Sequence, residues 1–255
     1  MHTKKNGIVI IIATYNEAYN IESLIKEILG KRNDADILII DDNSPDGTAE
    51  IVKNMQQEYS EINLIRRAAK LGYGSAYQEG FHWALERDRY KYFVTMDADF
   101  SHHPRYINSI LERIKEKSII IGSRYVEGGG IKNWGVHRKI LSRVANLYSR
   151  GILDIPATDC TSGFRCYRRE IIETINFNAI TSDGYSFLEE VLYIGRLQGA
   201  SIDEIPIVFE NRKYGKSKIN KKEIFKAMIK VPQLRLKWRK YHKKVILEAK
   251  NHFGI

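Results

Sequence analysis

Short apolar runs alternate along this chain with segments of helical periodicity, and this order limits the possible folds more than any other feature. The first run spans residues 8–13, and apolar residues then recur every three or four positions from Ile21 to Leu29, as on one face of a helix. The further predicted strands cover 37–40, 62–66, 92–96 and 119–122, and the further helices lie near 51–59, 74–87 and 104–116. Strands that alternate with helices favour a mostly parallel sheet covered on both faces, so we predict an α/β fold.

Composition excludes several classes of protein. The 255 residues, of which 43% are hydrophobic and 28% charged, can bury a substantial core and are not typical of a disordered chain. No run of 18 apolar residues occurs, and the first residues carry no signal-peptide pattern, so we expect a cytosolic protein. Cys160 and Cys166 lack the partners of a zinc site, so two reduced thiols are expected.

Basic residues are concentrated near the C-terminus. Residues 212–250 contain 15 Lys or Arg and only two acidic residues, within a chain of formal charge +10. We therefore predict one catalytic domain over residues 1–218 and a basic amphipathic helical tail over residues 219–255. Such a tail indicates an anionic partner, and a membrane surface, nucleic acid or simple solvation all fit this pattern.

The tail contains two apolar stripes at helical spacing. They consist of Ile224, Phe225, Met228 and Ile229, and, after a helix start predicted at Pro232, of Leu234, Trp238, Tyr241 and Val245. A basic helix that carries Trp and Tyr is typical of a segment lying among lipid headgroups, so we predict that the tail attaches the protein to the cytosolic membrane face. The alternative is that the stripe over 224–231 packs against the catalytic domain or a partner.

Carboxylates follow three of the predicted strands. Glu17 comes after the first, Asp41 and Asp42 after the second, and Asp97 and Asp99 after the fourth. In open α/β sheets, ligands bind outside the carboxyl ends of the strands, where these side chains should gather. Helix capping is an alternative explanation for Glu17 and for Asp46, but it explains Asp97 and Asp99 poorly. Two carboxylates at i and i+2 favour a hard divalent cation, Mg²⁺ or Mn²⁺.

Several segments together resemble the family-2 glycosyltransferases of GT-A fold and, in order and spacing, the dolichyl-phosphate mannose synthases. The matching segments are 13–17, 41–48, 70–77, 96–100, 122–126, 159–165 and 212–218. The resemblance spans residues 8–218. Ala13 stands where the family usually has proline, and the transmembrane helices of many relatives have no counterpart here.

The resemblance implies roles for individual residues on the donor side. The nucleotide pocket would be lined by Ala13, Tyr15, Glu17, Asp42 and Asp97, with Arg212 and Lys218 on the diphosphate. Asp97, Asp99 and Ser101 would hold the cation, which neutralises the charge that develops as the nucleoside diphosphate departs. We expect His102 and His103 to be solvated loop residues and do not assign them as ligands.

On the acceptor side the resemblance implies that Arg124, Arg138 and Ser142 bind a lipid phosphate, with Trp134 nearby. Arginine suits this task because its planar fork of donors matches phosphate. Asp99, Arg124 and Arg138 are the predicted catalytic residues. The segment 183–190 also matches and could shape the sugar site, although Phe187 and Leu188 equally fit a core.

The implied reaction is inverting, metal-dependent transfer of mannose from GDP-mannose to dolichyl or polyprenyl phosphate. An ionised phosphate oxygen needs no strong general base. Transfer of glucose, N-acetylglucosamine or aminoarabinose by the same fold is the nearest alternative, and a small membrane subunit is a further conceivable partner. Nucleic-acid binding through the basic tail is the alternative of another class, but no recognition module supports it, so we expect no nucleic-acid partner.

Overall fold

The protein is described by a computed structural model, which covers residues 7–210 and 228–243. Seven strands form the main sheet, in the order β3-β2-β1-β4-β7-β5-β8, and two short strands pair separately as β6-β9. The strands are β1 (Ile8–Thr14), β2 (Asp36–Asp41), β3 (Ile62–Arg66), β4 (Tyr92–Thr95), β5 (Ile119–Ser123), β6 (Gly130–Lys132), β7 (Arg165–Arg168), β8 (Ile202–Pro206) and β9 (Val208–Glu210).

Seven helices between the strands have both ends within the described residues. They are α1 (Ile21–Lys31), α2 (Thr48–Met55), α3 (Tyr73–Leu85), α4 (Ile107–Arg113), α5 (Val136–Leu153), α6 (Arg169–Glu173) and α7 (Tyr185–Leu197). Residues 228–243 are also helical and are called α8. In the described part of the chain, no helix combines the length and the apolar character needed to cross a membrane.

The predicted fold class is confirmed, since all strand pairs of the main sheet are parallel except those of β7. All five predicted strands occur. The sequence did not reveal β7, which runs antiparallel between β4 and β5, because it begins with a charged residue. Arg165 is nevertheless fully buried, and its guanidinium donates to the carbonyl oxygens of Cys160, Ser162 and Leu188. Backbone acceptors thus satisfy a charge that local sequence would place at the surface.

Alternate side chains of the central strand enter two cores on opposite faces of the sheet. Val9 and Ile11 pack with α3 and α7, whereas Ile8, Ile10 and Ile12 pack with α1 and α4. Helix α3 approaches the sheet closely at Gly80, where an added Cβ would lie 2.7 Å from side-chain atoms of β1 and β2. The alternation of period two therefore places helices on both faces.

Helix α8 corrects the predicted orientation of the tail. Val231, Leu234 and Trp238 are at most 2% exposed and belong to the same core as α7. The expectation that Leu234 and Trp238 face lipid is wrong, because a protein core already buries them. Pro232 does not start the helix, since residues 228–231 are already helical. The boundary predicted between residues 218 and 219, and Val245, lie outside the described residues and stay predictions.

Candidate active site

The ends of β1 and β2 are joined by hydrogen bonds at the carboxyl edge of the sheet. Thr14 pairs with Asp41 in register, and its hydroxyl donates to the Asp41 carboxylate over 3.0 Å. The same carboxylate accepts from the amide of Ser44 at 2.8 Å and from its hydroxyl at 2.6 Å. Asp41 is fully buried. It therefore shapes the loop after β2, while the next residue, Asp42, serves a different loop.

The predicted nucleotide residues of the first strand lie on this framework. Ala13 is opposite Ile40 in the β1–β2 register. The backbone amide of Glu17 donates to the Thr48 hydroxyl over 3.0 Å, and Asn20 donates to the Glu17 carboxylate over 3.0 Å. The loop after β1 is thereby held against the start of α2, so both lie along one side of the sheet edge.

Asp42 is the centre of a second set of contacts. Its buried carboxylate pairs with Arg67 at 2.8 Å and accepts the backbone amides of Leu71 and Gly72 at 2.9 and 2.8 Å. This arrangement fixes the segment that leads into α3. Arg67 was not predicted, although its position directly after β3 was a usable signal.

Tyr15 and Lys70 meet across this edge of the sheet. The Lys70 ammonium lies 3.7 Å from the centre of the Tyr15 ring, within the range of a cation–π contact. The predicted nucleotide residues Tyr15, Glu17 and Asp42 therefore surround the ends of β1 and β2. Arg212 and Lys218 lie outside the described residues, and their assignment to the diphosphate stays a prediction.

The loop after β4 presents the two predicted metal ligands in different settings. The Asp97 side chain is 32% exposed, and the Tyr73 hydroxyl donates to it over 3.3 Å. Asp99 is buried, and its Oδ1 accepts from the amide and hydroxyl of Ser101 at 3.1 and 2.5 Å. Phe100, which lies between Asp99 and Ser101, adopts a positive φ of 62°. The turn thus brings Ser101 back onto Asp99.

His102 is buried rather than solvated, which corrects the expectation for that residue. Its Nδ1 accepts the backbone amide of Asp97 over 2.9 Å, and its ring stacks on Phe164 at 5.6 Å between centroids. His102 therefore holds the backbone of Asp97 in place.

The donor chemistry of this loop fits a hard divalent cation, since carboxylate and hydroxyl oxygens are its preferred ligands. The fit is partial. Among residues 7–210 and 228–243, no group of three or more His, Cys, Asp or Glu side chains is placed to hold a metal ion. A cation held by Asp97 and Asp99 would therefore need further oxygen ligands, as a bound diphosphate provides.

The predicted acceptor residues lie together around one aromatic ring. The guanidinium of Arg138 is 3.7 Å from the centre of the Trp134 ring, and that of Arg124 is 5.8 Å from the same point. The Tyr125 hydroxyl donates to Ser142 over 2.7 Å, and Arg124 also lies 5.3 Å from the Tyr125 ring. The structure thus brings together residues from the loop after β5, from the loop before α5 and from α5 itself.

Arg124 has a strong protein partner that the sequence did not reveal. Its guanidinium is bidentate to Asp159, with Nε to Oδ2 at 2.7 Å and Nη2 to Oδ1 at 2.6 Å, and both groups are buried. Burial alone would raise the pKa of the Asp159 carboxyl, but the neighbouring Arg124 holds that pKa below its ordinary value. The charge of Arg124 is therefore largely offset within the protein.

Phe209 connects the metal loop with the acceptor cluster and was also missed. Its ring centre lies 5.7 Å from that of His102 and 5.4 Å from that of Trp134, and the Arg124 guanidinium is 5.5 Å from it. The predicted donor and acceptor residues therefore adjoin across a single aromatic side chain. Phe187 and Leu188, by contrast, are core residues.

A mostly parallel sheet with carboxylates at its carboxyl edge and a neighbouring arginine cluster defines a GT-A-type glycosyltransferase. The mannosyltransferase of Pyrobaculum calidifontis, solved in complex with GDP-Man and Mn²⁺, superposes with a TM-score of 0.57 at 15% identity, covering 96% of this chain and 75% of that one. At this identity the likeness shows the fold alone. It confirms the predicted GT-A architecture.

The family follows from sequence. The sequence model of the family described as glycosyl transferase family 2 matches residues 9–175 of this chain. The chain therefore belongs to that family of enzymes. The polyprenol monophosphomannose synthase of Mycolicibacterium smegmatis is 38% identical over 232 residues, which are 90% of this chain and 87% of that protein. The undecaprenyl-phosphate mannosyltransferase of Micrococcus luteus is 37% identical over 221 residues, which are 87% of this chain and 90% of that protein.

Proposed function

We propose that this enzyme transfers mannose from GDP-mannose to a polyprenyl phosphate, with inversion at the anomeric carbon. One observation carries the proposal: the carboxylate loop after β4 and the arginine cluster around Trp134 lie on either side of Phe209. A sugar diphosphate held at the first would present its anomeric carbon to a phosphate held at the second. The names of the two bacterial relatives support this choice of sugar and acceptor.

On the donor side, we assign Asp97, Asp99 and Ser101 to a divalent cation, Mg²⁺ or Mn²⁺. When bound, the cation supplies charge neutralisation at the departing diphosphate. His102 holds the backbone of Asp97, and Ser101 orients Asp99. The Mn²⁺ in the Pyrobaculum structure supports the assignment. Ala13, Tyr15, Glu17 and Asp42 would line the nucleotide pocket, with Arg212 and Lys218 on the diphosphate.

On the acceptor side, Arg124, Arg138 and Ser142 would receive the lipid phosphate. The Asp159 pair fixes the Arg124 guanidinium in one orientation, and Trp134 supports that of Arg138. A phosphate monoester is already ionised near neutral pH, so this site has to bind and orient its nucleophile and needs no base to deprotonate it. Arg124 and Arg138, which both lie near the Trp134 ring, would bind the phosphate and orient it.

The metal assignment is tested with Asp99→Ala. We expect loss of mannosyl transfer with an unchanged circular dichroism spectrum, because removing one oxygen ligand and the partner of Ser101 leaves the hydrophobic cores intact. Asp88→Ala is the matched control, since Asp88 is a fully exposed loop carboxylate. Near-normal activity of the Asp99 variant in chelator-treated buffer would contradict the assignment.

The sugar and the nucleotide are tested together by screening donors against one polyprenyl phosphate. Turnover with GDP-mannose well above that with UDP-glucose, UDP-N-acetylglucosamine or an aminoarabinose donor is expected. A preference for one of the others would keep the glycosyltransferase assignment and replace mannose. Purified enzyme in defined vesicles also tests whether a small membrane subunit is needed.

We further propose that the enzyme binds the cytosolic membrane face through α5. The helix exposes one apolar stripe, in which Val136, Ile140, Val144 and Leu147 are 69%, 56%, 57% and 70% exposed. Arg143 and Arg150 are exposed on the same side. An apolar stripe bordered by cations suits a helix lying in the headgroup region of an anionic bilayer. Arg138 is on the same helix, which would place the proposed acceptor site near the membrane surface.

Helix α8 extends this surface. The Tyr148 hydroxyl donates to the carbonyl of Met228 over 2.7 Å, and Met228 and Ile229 are 51% and 50% exposed. The predicted membrane contact of the tail therefore moves to its first described residues, which adjoin α5, and away from Leu234 and Trp238.

The membrane surface is tested with the double variant Ile140→Ser, Val144→Ser. Co-sedimentation with phosphatidylglycerol vesicles should fall about tenfold or more, because two partly inserted aliphatic side chains are lost. Tyr19→Ser removes an exposed aromatic residue elsewhere and should sediment like the wild type. Equal sedimentation of all three proteins at moderate salt would exclude α5 as the membrane contact.

A further inference from the structure

Glu190 joins helix α8 to the loop before α7. Its carboxylate is fully buried, and Oε1 accepts from the Trp238 indole at 2.6 Å and from the Lys237 ammonium at 2.9 Å. The other oxygen, Oε2, accepts the backbone amides of Ser182 and Thr181 at 3.0 and 3.3 Å. One oxygen thus holds α8 and the other holds the segment 179–184, here called the α7 loop.

Two lysines of α8 hold the same loop from outside. The Lys230 ammonium donates to the Thr181 carbonyl over 3.0 Å, and the Lys237 ammonium donates to the Thr181 hydroxyl over 3.1 Å and to the Ala179 carbonyl. Three α8 side chains, including Trp238, are therefore committed to the loop and to Glu190. This is more than the apolar packing of α8 requires.

The α7 loop reaches the donor side of the active site. An added Cβ on Gly74, in the first turn of α3, would lie 3.2 Å from the Ser182 carbonyl oxygen and 3.1 Å from Phe187. The preceding residue, Tyr73, donates to the Asp97 carboxylate, and the amide of Gly72 donates to Asp42. The first turn of α3 therefore touches the α7 loop on one side and two predicted donor-site carboxylates on the other.

We propose that Glu190 is a positioning residue, which uses α8 to fix the α7 loop against the first turn of α3 and thereby sets the donor site. The inference rests on the proposed function only in taking a nucleotide sugar as the donor. A buried carboxylate with donors on both oxygens has one well-satisfied position. A side chain with a single acceptor oxygen could hold either α8 or the α7 loop, but not both. Through Glu190, helix α8 would therefore contribute to the transfer reaction in addition to its proposed membrane contact.

The central variant is Glu190→Gln, which keeps the size of the side chain but can hold only α8 or the loop. Trp238→Phe removes the indole donor and retains an aromatic ring. The matched control is Tyr241→Phe, which removes a hydrogen bond of α8 to Asn176, at 3.2 Å, without touching the α7 loop. All three are compared with the full-length wild type.

Two measurements separate positioning from a general loss of structure. The first is hydrogen exchange, where the amides of residues 179–184 should exchange at least tenfold faster in the Glu190 and Trp238 variants, while peptides from β1 and β2 stay unchanged. The second is transfer from GDP-mannose to a short, water-soluble acceptor, which requires no membrane. The KM for GDP-mannose should rise about tenfold. The fraction of active enzyme, measured from the stoichiometry of GDP binding, should stay unchanged.

The opposite results are equally clear. An unchanged donor KM in the Glu190→Gln enzyme, or a lower active fraction at normal KM, would assign Glu190 a purely structural role. The same KM change in Tyr241→Phe would show that α8 acts through general packing. If the wild type itself does not use GDP-mannose, the proposed donor fails, whereas hydrogen exchange still tests whether Glu190 fixes the loop.

Discussion

Replacing Glu189 by glutamine should stabilise the protein above neutral pH and leave its stability almost unchanged near pH 5. Glu189 lies on α7, is 3% exposed, and accepts a short hydrogen bond from the Ser149 hydroxyl of α5. Burial raises the pKa of its carboxyl from the ordinary value of 4.5 to about 7, against the opposing effects of Ser149 and of the nearby Arg165 cation. The carboxyl is therefore largely protonated in the folded protein at pH 6.

The sign and size follow from proton linkage. Between pH 4.5 and 7 the folded state binds a proton at Glu189 that the unfolded state has released, so the free energy of unfolding falls as pH rises through this window. Above pH 7 both states are ionised and the loss is complete. A pKa moved from 4.5 to about 7 corresponds to about 3 kcal/mol, because a tenfold change in an equilibrium constant is worth about 1.4 kcal/mol. Glutamine is never ionised and avoids this loss.

Urea unfolding of both proteins at pH 5, 6, 7 and 8.5 measures the effect. The difference in unfolding free energy should grow by about 2 to 3 kcal/mol in favour of Glu189→Gln and level off above pH 7. All other titrating groups are common to both proteins and largely cancel. Parallel stability curves would refute the reasoning, since they would mean that Glu189 titrates alike in the folded and unfolded chain.

Two further substitutions test the packing and the buried ion pair. Gly80→Ala should destabilise the protein by about 1 to 3 kcal/mol in urea unfolding, because its Cβ would meet strand side chains at 2.7 Å; a neutral result would mean that α3 shifts freely. Asp159→Asn should cost about 3 kcal/mol, because it leaves the buried Arg124 charge without its carboxylate, and adding Arg124→Met should recover part of the loss. Additive losses in the double variant would show that the two side chains are not coupled.

The sequence alone determined strands β1 to β5, and with them the edge at which the carboxylates meet. The runs 8–13 and 37–40 are apolar and the run 92–96 is interrupted only by Thr95, and parallel neighbours bring their carboxyl ends together. The sequence therefore suffices to assign Glu17, Asp42 and Asp97 to one edge of the sheet. Local periodicity contains this information.

Only the tertiary structure decided which buried polar groups pair with each other. Local sequence would place Arg165 at the surface, whereas carbonyl oxygens enclose its guanidinium, including that of Leu188, 23 residues later. Local sequence likewise does not indicate that Arg124 pairs with Asp159, 35 residues later. The stripe through Leu234 and Trp238 fits a bilayer and a protein core equally well, because both are apolar. The choice depended on α7, where the Glu190 carboxylate offered the indole an acceptor that a hydrocarbon environment lacks.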